Sequence, residues 1–442
     1  MQVLKFGGTS VGSVQNLKQV REIIDTPELK IVVLSAMAGT TNKLLQIADA
    51  VRIGERTLAA DLAIQLQKEY DQVLEELFTE LSILSKVRGY VDGIFSSIEN
   101  SIQVTNFSTI TVDEILSKGE LLSTWILTSY LEQENVSVCL LPALDFMRID
   151  MHKEPDTFYI QQNIYRSIEN LPPAHIYITQ GFICRDYEGK VSNLQRGGSD
   201  YTATIIGAVI KATSVQIWTD IDGFHNNDPR FVEETHSIAH LSYDEAAELA
   251  YFGAKILHPL TVEPLRQYKI PLHLKNTLDV KARGTMITHK AKGKGIKAIA
   301  AKDGITALKI KSARMLQAHG FLSNVFKIFD SYETAIDMIT TSEIAVSLTI
   351  DNTQNLEKIA NELTKFALLS IDRAQSIICL VGNQISADKS THHLFNILKD
   401  VDIRMISYGG SKNNISLLVA TKDKNRALSL LQEYVFPHEI VI

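Results

Sequence analysis

An α/β layered fold with a largely parallel sheet, followed by two small α+β modules, is the architecture this sequence predicts. Three observations predict it. Apolar strand-like runs alternate with helical periodicity over roughly the first 290 residues. A Lys-, Gly- and Thr-rich stretch at 278–298 then changes the composition. Beyond it a βαββα order occurs twice with a period of roughly 70 residues, the signature of an internal repeat.

The elements follow in order. "QVLKF" (2–6) is a short strand, and Val14, Leu17, Val20, Ile23 and Ile24 recur at helical spacing before Pro27. "KIVVLSA" (30–36) is a continuous β-branched run, as a strand buried on both faces requires. From Leu44 to about Leu131 the pattern is mostly helical, and "VSVCLLPA", "HIYITQGFIC" and "SVQIWTDIDG" return as strands. Residues 278–298 read as an exposed connection. In the first module "ITALKIKS", "TAIDMITTS" and "EIAVSLTID" are strands, while "GFLSNVFKIFDSY" and "NLEKIANELTKFA" are helices. The second repeats the order with "SIICLVGN", "STHHLFNILKDV", "DIRMISYGG", "NISLLVATK" and "NRALSLLQEYVF". "IKAIAAKDG" is left over and is a candidate to complete the second module's sheet. The expected boundaries are 1–290 for the α/β domain and 296–442 for the paired modules. Within the latter, 305–375 forms the first module, and 296–304 with 376–442 the second.

The bulk properties exclude several classes. At 442 residues the chain exceeds what one hydrophobic core usually serves, so two or three domains are expected. A net charge of −7 with both signs interspersed argues against nucleic acid or an anionic membrane as partner. Three dispersed cysteines, Cys139, Cys184 and Cys379, form neither a disulfide framework nor a metal-ligand spacing. No apolar run approaches the roughly 20 residues that span a bilayer, and the N-terminus lacks signal-peptide order. A soluble, cytoplasmic protein is expected.

Two loops carry the strongest chemistry. "KFGGTS" (5–10) places Lys5, Gly7 and Gly8 between a strand and a helix start, where backbone N–H groups and the helix dipole favour an anion. Its order is neither that of a P-loop nor of a dinucleotide loop, so alone it reads equally as a tight turn. "LQRGGSDYTAT" (194–204) repeats the logic with Arg196, Gly198, Ser199 and Asp200; Arg clamps carboxylate or phosphate, and Asp200 reads equally as an N-cap. Together the loops suggest two anionic groups brought face to face. "WTDIDGFHNNDPR" (218–230) is turn chemistry or a nucleotide rim, with Asp220 and Arg230 as candidates. "SYDEAAELAYFGAKILHP" (242–259) opens with a capping box, Ser242 with Glu245, and places Lys255 in the last helical turn. Glu120, in "SKGE", reads from its helical setting as a solvated residue. His236 and His240 lack the glutamate of a zinc-protease helix, and "YGGSKNN" (408–414) reads as a hairpin loop.

These motifs, with "VVLSAMAGTTN", "QGFI", "FGAKILHP" and "ITTSE", resemble those of the aspartate kinases in both identity and order. The resemblance runs along the whole chain and is closest to the monofunctional, lysine-sensitive type. It implies an amino-acid-kinase αβα sandwich followed by two intertwined ACT modules of ferredoxin-like α+β build. It further implies MgATP-dependent phosphorylation of the L-aspartate side-chain carboxylate to 4-phospho-L-aspartate, the first step toward lysine, threonine and methionine. In the family's pattern Lys5 neutralises the phosphoryl group in flight and Asp200 organises that lysine. Gly7 and Gly8 hold phosphate oxygens, and Thr219, Asp220, His225, Arg230, Lys255 and Ile256 fall on ATP-binding positions. Thr41, Glu120, Arg196, Gly198 and Ser199 fall on substrate positions, with Glu120 on the α-amino group and Arg196 on the α-carboxylate. Met315, Phe321, Leu322, Ala335, Ile336, Asp337, Thr341, Ser342 and Glu343 fall on the lysine effector site. His225 stands where Tyr is usual, Gln195 where Gly is, and Ala335 where Ser is expected. No metal ligands beyond the nucleotide phosphates are implied for Mg2+. A homodimer through the ACT modules is implied, with pairing of dimers into tetramers open. The rivals are another amino-acid kinase, acting on glutamate or carbamate, and a non-catalytic amino-acid sensor.

Overall fold

The computed structural model describes residues 1–104, 107–194, 197–232, 234–252, 256–312, 320–388, 391 and 393–437. Arg196, Lys255 and Met315, and the Gln195 departure, therefore lie outside the described residues. The chain forms two compact units. The first comprises Met1–Phe224, Ala239–Tyr243 and Leu257–Lys290; the second comprises His225–Ile238, Asp244–Ile256 and Ala291–Ile442.

The chain opens with β1 (Gln2–Phe6), α1 (Val14–Ile24) and β2 (Lys30–Leu34). Four helices follow: α2 (Thr40–Arg52), α3 (Arg56–Leu77), α4 (Leu81–Ile102) and α5 (Thr109–Gln133). Then come β3 (Val138–Leu140), α6 (Thr157–Glu169), β4 (Ile176–Gln180), β5 (Ile183–Arg185), β6 (Val191–Asn193), α7 (Gly198–Val209) and β7 (Val215–Thr219). After β8 (His240–Ser242) and α8 (Tyr243–Phe252) come α9 (Glu263–Tyr268), β9 (Leu272–Asn276) and β10 (Thr285–Thr288).

The eight-stranded sheet of the first unit has the order β3-β4-β2-β1-β7-β9-β10-β8. It is parallel from β3 to β9, while β10 runs antiparallel to β9 and parallel to β8. Side chains alternate along β1. Leu4 and Phe6 join a core built with α1 to α5, among them Leu17, Leu44, Leu74, Phe95 and Ile126. Lys5 therefore points to the opposite face, where α7 packs on β1, β2 and β7. Chain order reverses at β1, with β2 on one side and β7 on the other. In open α/β sheets the crevice beyond the strand ends at such a point is where ligands bind.

The expected exposed connection is partly wrong. Thr285 and Ile287 are fully buried in β10, because the four residues "TMIT" alternate correctly inside a stretch whose lysines mask them. "HIYITQGFIC" is likewise two strands, not one: β4 ends at Gln180, and β5 pairs with β6 in a separate two-stranded sheet.

The second unit continues with β11 (Gly295–Lys311), α10 (Phe321–Ser331), β12 (Ile339–Thr341), β13 (Ala345–Ile350) and α11 (Leu356–Thr364). It closes with β14 (Leu368–Asn383), α12 (His393–Ile397), β15 (Ile403–Ser407), β16 (Asn414–Ala420) and α13 (Lys424–Val435). All six strands form one antiparallel sheet, β12-β13-β11-β14-β16-β15. β11 and β14 pair along nearly their whole lengths, and each serves both repeats. The far half of β11 pairs with β13, and the far half of β14 with β16. "IKAIAAKDG" is thus the near half of β11 and pairs with the half of β14 that carries β16. Two separate cores cover the sheet. One gathers Val325, Phe329, Ile359 and Leu363 of α10 and α11; the other gathers Leu394, Leu428 and Leu431 of α12 and α13.

Candidate functional site

In the first unit the ends of the parallel strands bring the expected residues together. β1 delivers Lys5, whose Nζ lies 2.6 Å from Asp200 Oδ1; both side chains are largely buried. Asp200 sits in the first turn of α7 and is not its N-cap. That position belongs to Gly197, at φ 76°, where a Cβ would also lie 2.6 Å from His258 Cβ. The loop after β1 is equally tight: a Cβ on Gly8 would lie 2.9 Å from the Ala36 carbonyl oxygen. The Gly7 N–H donates to the Trp218 carbonyl at 3.1 Å, so of the two amides expected to hold phosphate oxygens, this one is already engaged within the protein. Ser10 Oγ donates to the same carbonyl (3.3 Å) and shares a hydrogen bond with Thr277 Oγ1 (2.7 Å), tying the loop to the end of β9.

Glu120 is the largest departure from the sequence reading. It is no solvated residue but a carboxylate 3% exposed, because α5 packs its "SKGE" turn under the loop after β2. Its Oε1 accepts the Ala36 N–H at 3.1 Å, and its Oε2 is buried without a partner among the described residues. Burial pushes the carboxyl up to about 8, against the pull of the Ala36 amide and the Lys5 charge. Such a group accepts a cation or keeps a proton.

Glu120 lines a cleft of about 340 Å³ with Thr41, Gly198, Ser199, Gly8 and Ala36. Four of the five residues expected to contact substrate therefore share one cleft, and the fifth, Arg196, lies outside the described residues. Beneath it, Thr40 of α2 and Tyr70 of α3 share a hydrogen bond of 3.0 Å, bracing the helix that carries Thr41. Sequence reasoning missed Phe182, which also lines the cleft in a left-handed conformation at φ 67°. Its N–H donates to Thr202 Oγ1 at 3.0 Å. Sequence reasoning also missed the row Phe6, Trp218 and Lys275 across β1, β7 and β9. The two rings stack 5.9 Å apart, and Lys275 Nζ lies 4.6 Å from the Trp218 centroid.

Of the expected nucleotide residues, Thr219 and Asp220 end β7 in the first unit, joined by a 3.0 Å hydrogen bond. His225, Arg230 and Ile256 belong to the second unit. His225 Nδ1 lies 3.1 Å from Thr235 Oγ1. The Arg230 guanidinium clasps Asp228 (2.6 Å from Nη2 to Oδ2); burial pushes that carboxyl up, but the bonds from Arg230 outweigh it and hold it low.

The expected effector residues also fall in the second unit. Phe321 and Leu322 open α10, Ala335 to Asp337 precede β12, and Thr341 to Glu343 lead from it toward β13. The Asp337 side chain is 2% exposed. Its Oδ1 accepts the Tyr251 hydroxyl (2.9 Å) and Lys302 Nζ (2.8 Å), and its Oδ2 is buried without a partner among the described residues. Lys302 also reaches Asp351 at 2.8 Å. Burial lowers that ammonium's pKa, but its bonds to the two carboxylates outweigh this and raise it.

The profile of the amino acid kinase family matches residues 1–276, and an ACT domain profile matches 378–434. The chain is 32% identical to lysine-sensitive aspartokinase 3 of Escherichia coli K12, covering 98% of this chain and 99% of that one. It is 33% identical to chloroplastic aspartokinase 1 of Arabidopsis thaliana, over 98% of this chain and 80% of the relative. Among solved structures, E. coli aspartokinase III in complex with aspartate and ADP, described as the R-state, superposes with a TM-score of 0.84. It shares 32% identity and covers 99% of this chain and 100% of that one. The same enzyme in complex with lysine and aspartate, the T-state, gives 0.79 at 32% identity, with 99% of each chain covered.

Proposed function

The chain belongs to the aspartokinases of the amino acid kinase family, and on that premise we propose a residue-level account of how it transfers the ATP γ-phosphoryl group to the aspartate side chain under lysine control. The observation that carries the account is Glu120 Oε2, buried without a partner among the described residues, on a carboxylate that lines a cleft with Gly8, Gly198 and Ser199. An α-ammonium satisfies that oxygen. The amino acid is thereby fixed at one end, with Thr41, Ser199 and Arg196 left for its other groups and its side-chain carboxylate directed toward Lys5.

The attacking carboxylate is ionised near neutral pH, so no general base is needed. Transfer then depends on alignment and on neutralising charge on the moving phosphoryl group. Lys5 supplies that charge, and Asp200 positions its ammonium. Gly8, Thr219, Asp220, His225, Arg230, Lys255 and Ile256 are the nucleotide residues. Mg2+ enters as MgATP, carried by the phosphates. Asp200 is held by Lys5.

Residues 1–290 constitute the catalytic domain and 296–442 the tandem ACT region, through which two chains pair. Lysine binds against Asp337 and Glu343. No helix among the described residues is long and apolar enough to cross a membrane. The test is ADP formation with MgATP and L-aspartate, L-glutamate as control, across a lysine titration. Aspartate-dependent turnover that declines with lysine is expected; turnover with glutamate alone overturns the substrate assignment.

A further inference from the structure

The structure of the second unit contains a connection that the reading above does not use. Helix α8 presents Glu245, Glu248 and Tyr251, three residues apart each and therefore on one face. Glu245 is fully buried and ion-paired with Lys297 of β11 at 2.7 Å. Glu248 accepts a hydrogen bond from Asn414 of β16. Those two bonds hold the first half of the helix. Near its C-terminal end, Tyr251 reaches Asp337, and its ring lies 4.5 Å below the Lys302 ammonium. Among the described residues the Lys302 cluster contains two carboxylates, Asp337 and Asp351, against one ammonium, and one Asp337 oxygen lacks a partner. A second ammonium therefore completes the cluster electrostatically. That oxygen belongs to a side chain only 2% exposed, so for an ammonium to reach it the carboxylate must turn, and of the groups held on Oδ1 the phenol is the neutral and weaker one.

Four residues beyond Phe252 the chain reaches Ile256, assigned above to the nucleotide. The segment 244–256, with 225–238, is part of the same compact unit as the ACT region. We propose that the Tyr251 hydroxyl is the relay between effector and nucleotide: it anchors the end of α8 to Asp337 in the ATP-competent arrangement and is released when an effector ammonium takes that carboxylate. Tyr251 is a positioning residue and touches neither substrate. The inference rests on the reading of Asp337 as the effector carboxylate.

The test uses the full chain and two variants, Tyr251→Phe and Asp337→Asn, each checked by thermal melting. L-lysine affinity is read by calorimetry, and KM for MgATP is read with and without saturating lysine. Phe keeps the ring over Lys302 and removes only the hydroxyl. In Tyr251→Phe, lysine is expected to bind about three- to tenfold tighter, the net equivalent of one ordinary hydrogen bond. KM for MgATP without lysine should rise by a similar factor, so that the ratio of the two KM values shrinks, while kcat at saturation stays unchanged. Asp337→Asn should weaken lysine at least tenfold. If Asp337→Asn retains wild-type lysine affinity, the effector reading falls and the relay with it. If Asp337→Asn loses lysine but Tyr251→Phe matches wild type in both affinity and KM ratio, the relay alone is overturned.

Discussion

Glu120 and Asp337 are each a buried carboxylate with one oxygen bonded and the other without a partner among the described residues, yet they are held by opposite means. Glu120 is bonded by a backbone amide, and its burial keeps it protonated up to about pH 8. Asp337 is bonded by a resident ammonium and a phenol. An incoming amino acid therefore displaces a proton at the first site and a protein group at the second. The first exchange leaves the fold as it was, which suits a substrate that must come and go. The second has to move something, which suits an effector.

The largest expected effect is at the neighbour that Glu120 senses. Lys5→Met should lower kcat at least about 1000-fold, as loss of a phosphoryl-neutralising charge does, while calorimetric lysine binding stays at wild type. A loss of both would mean that the two carboxylates do not serve separate sites. Next, Glu120→Gln removes the countercharge of the bound ammonium. The kcat/KM for aspartate should fall about 100-fold, on the scale of a buried charge left unpaired, with the half-inhibiting lysine concentration within twofold.

A smaller effect separates proton exchange from group exchange. Near pH 6.5 aspartate binding should expel close to one proton, measured by calorimetry in buffers of different ionisation heat, and the release should vanish above about pH 9. The same shift appears in stability. Between its ordinary value of 4.5 and about 8, Glu120 holds a proton in the folded chain that the unfolded chain gives up. Its contribution is thus complete below pH 4.5 and lost as pH rises to about 8. Glu120→Gln should flatten that decline, by up to about 1.4 kcal/mol per pH unit. Least of all, Tyr70→Phe should cost about 1 kcal/mol of stability through the lost Thr40 bond, with KM for aspartate nearly unchanged.

The catalytic half was the more legible in the sequence. Lys5, Ser199 and Asp200 flank glycine pairs between a strand and a helix, a setting that already says what the backbone must do. Glu120 was not legible from pattern, since a helical glutamate is usually solvated and only the packing of α5 buries it. β10 was hidden for the converse reason: four correctly alternating residues are too few to stand out among lysines. "LLSIDRAQ", the near half of β14, carries too many polar residues to read as strand, because that half pairs with β11 along one edge and is largely exposed rather than buried on both faces. Tyr251 could not be found at all, since its partner is 86 residues away and neither residue type announces the bond.

β11 and β14 have one further consequence. Because each strand takes part in both halves of the six-stranded sheet, no single cut in the chain divides the regulatory region into two complete pieces. Evolution can therefore inherit, duplicate or transplant it only whole. A gene fragment ending after α11 would encode β11 without the β14 that flanks it, leaving an open edge in place of a half-sized regulator.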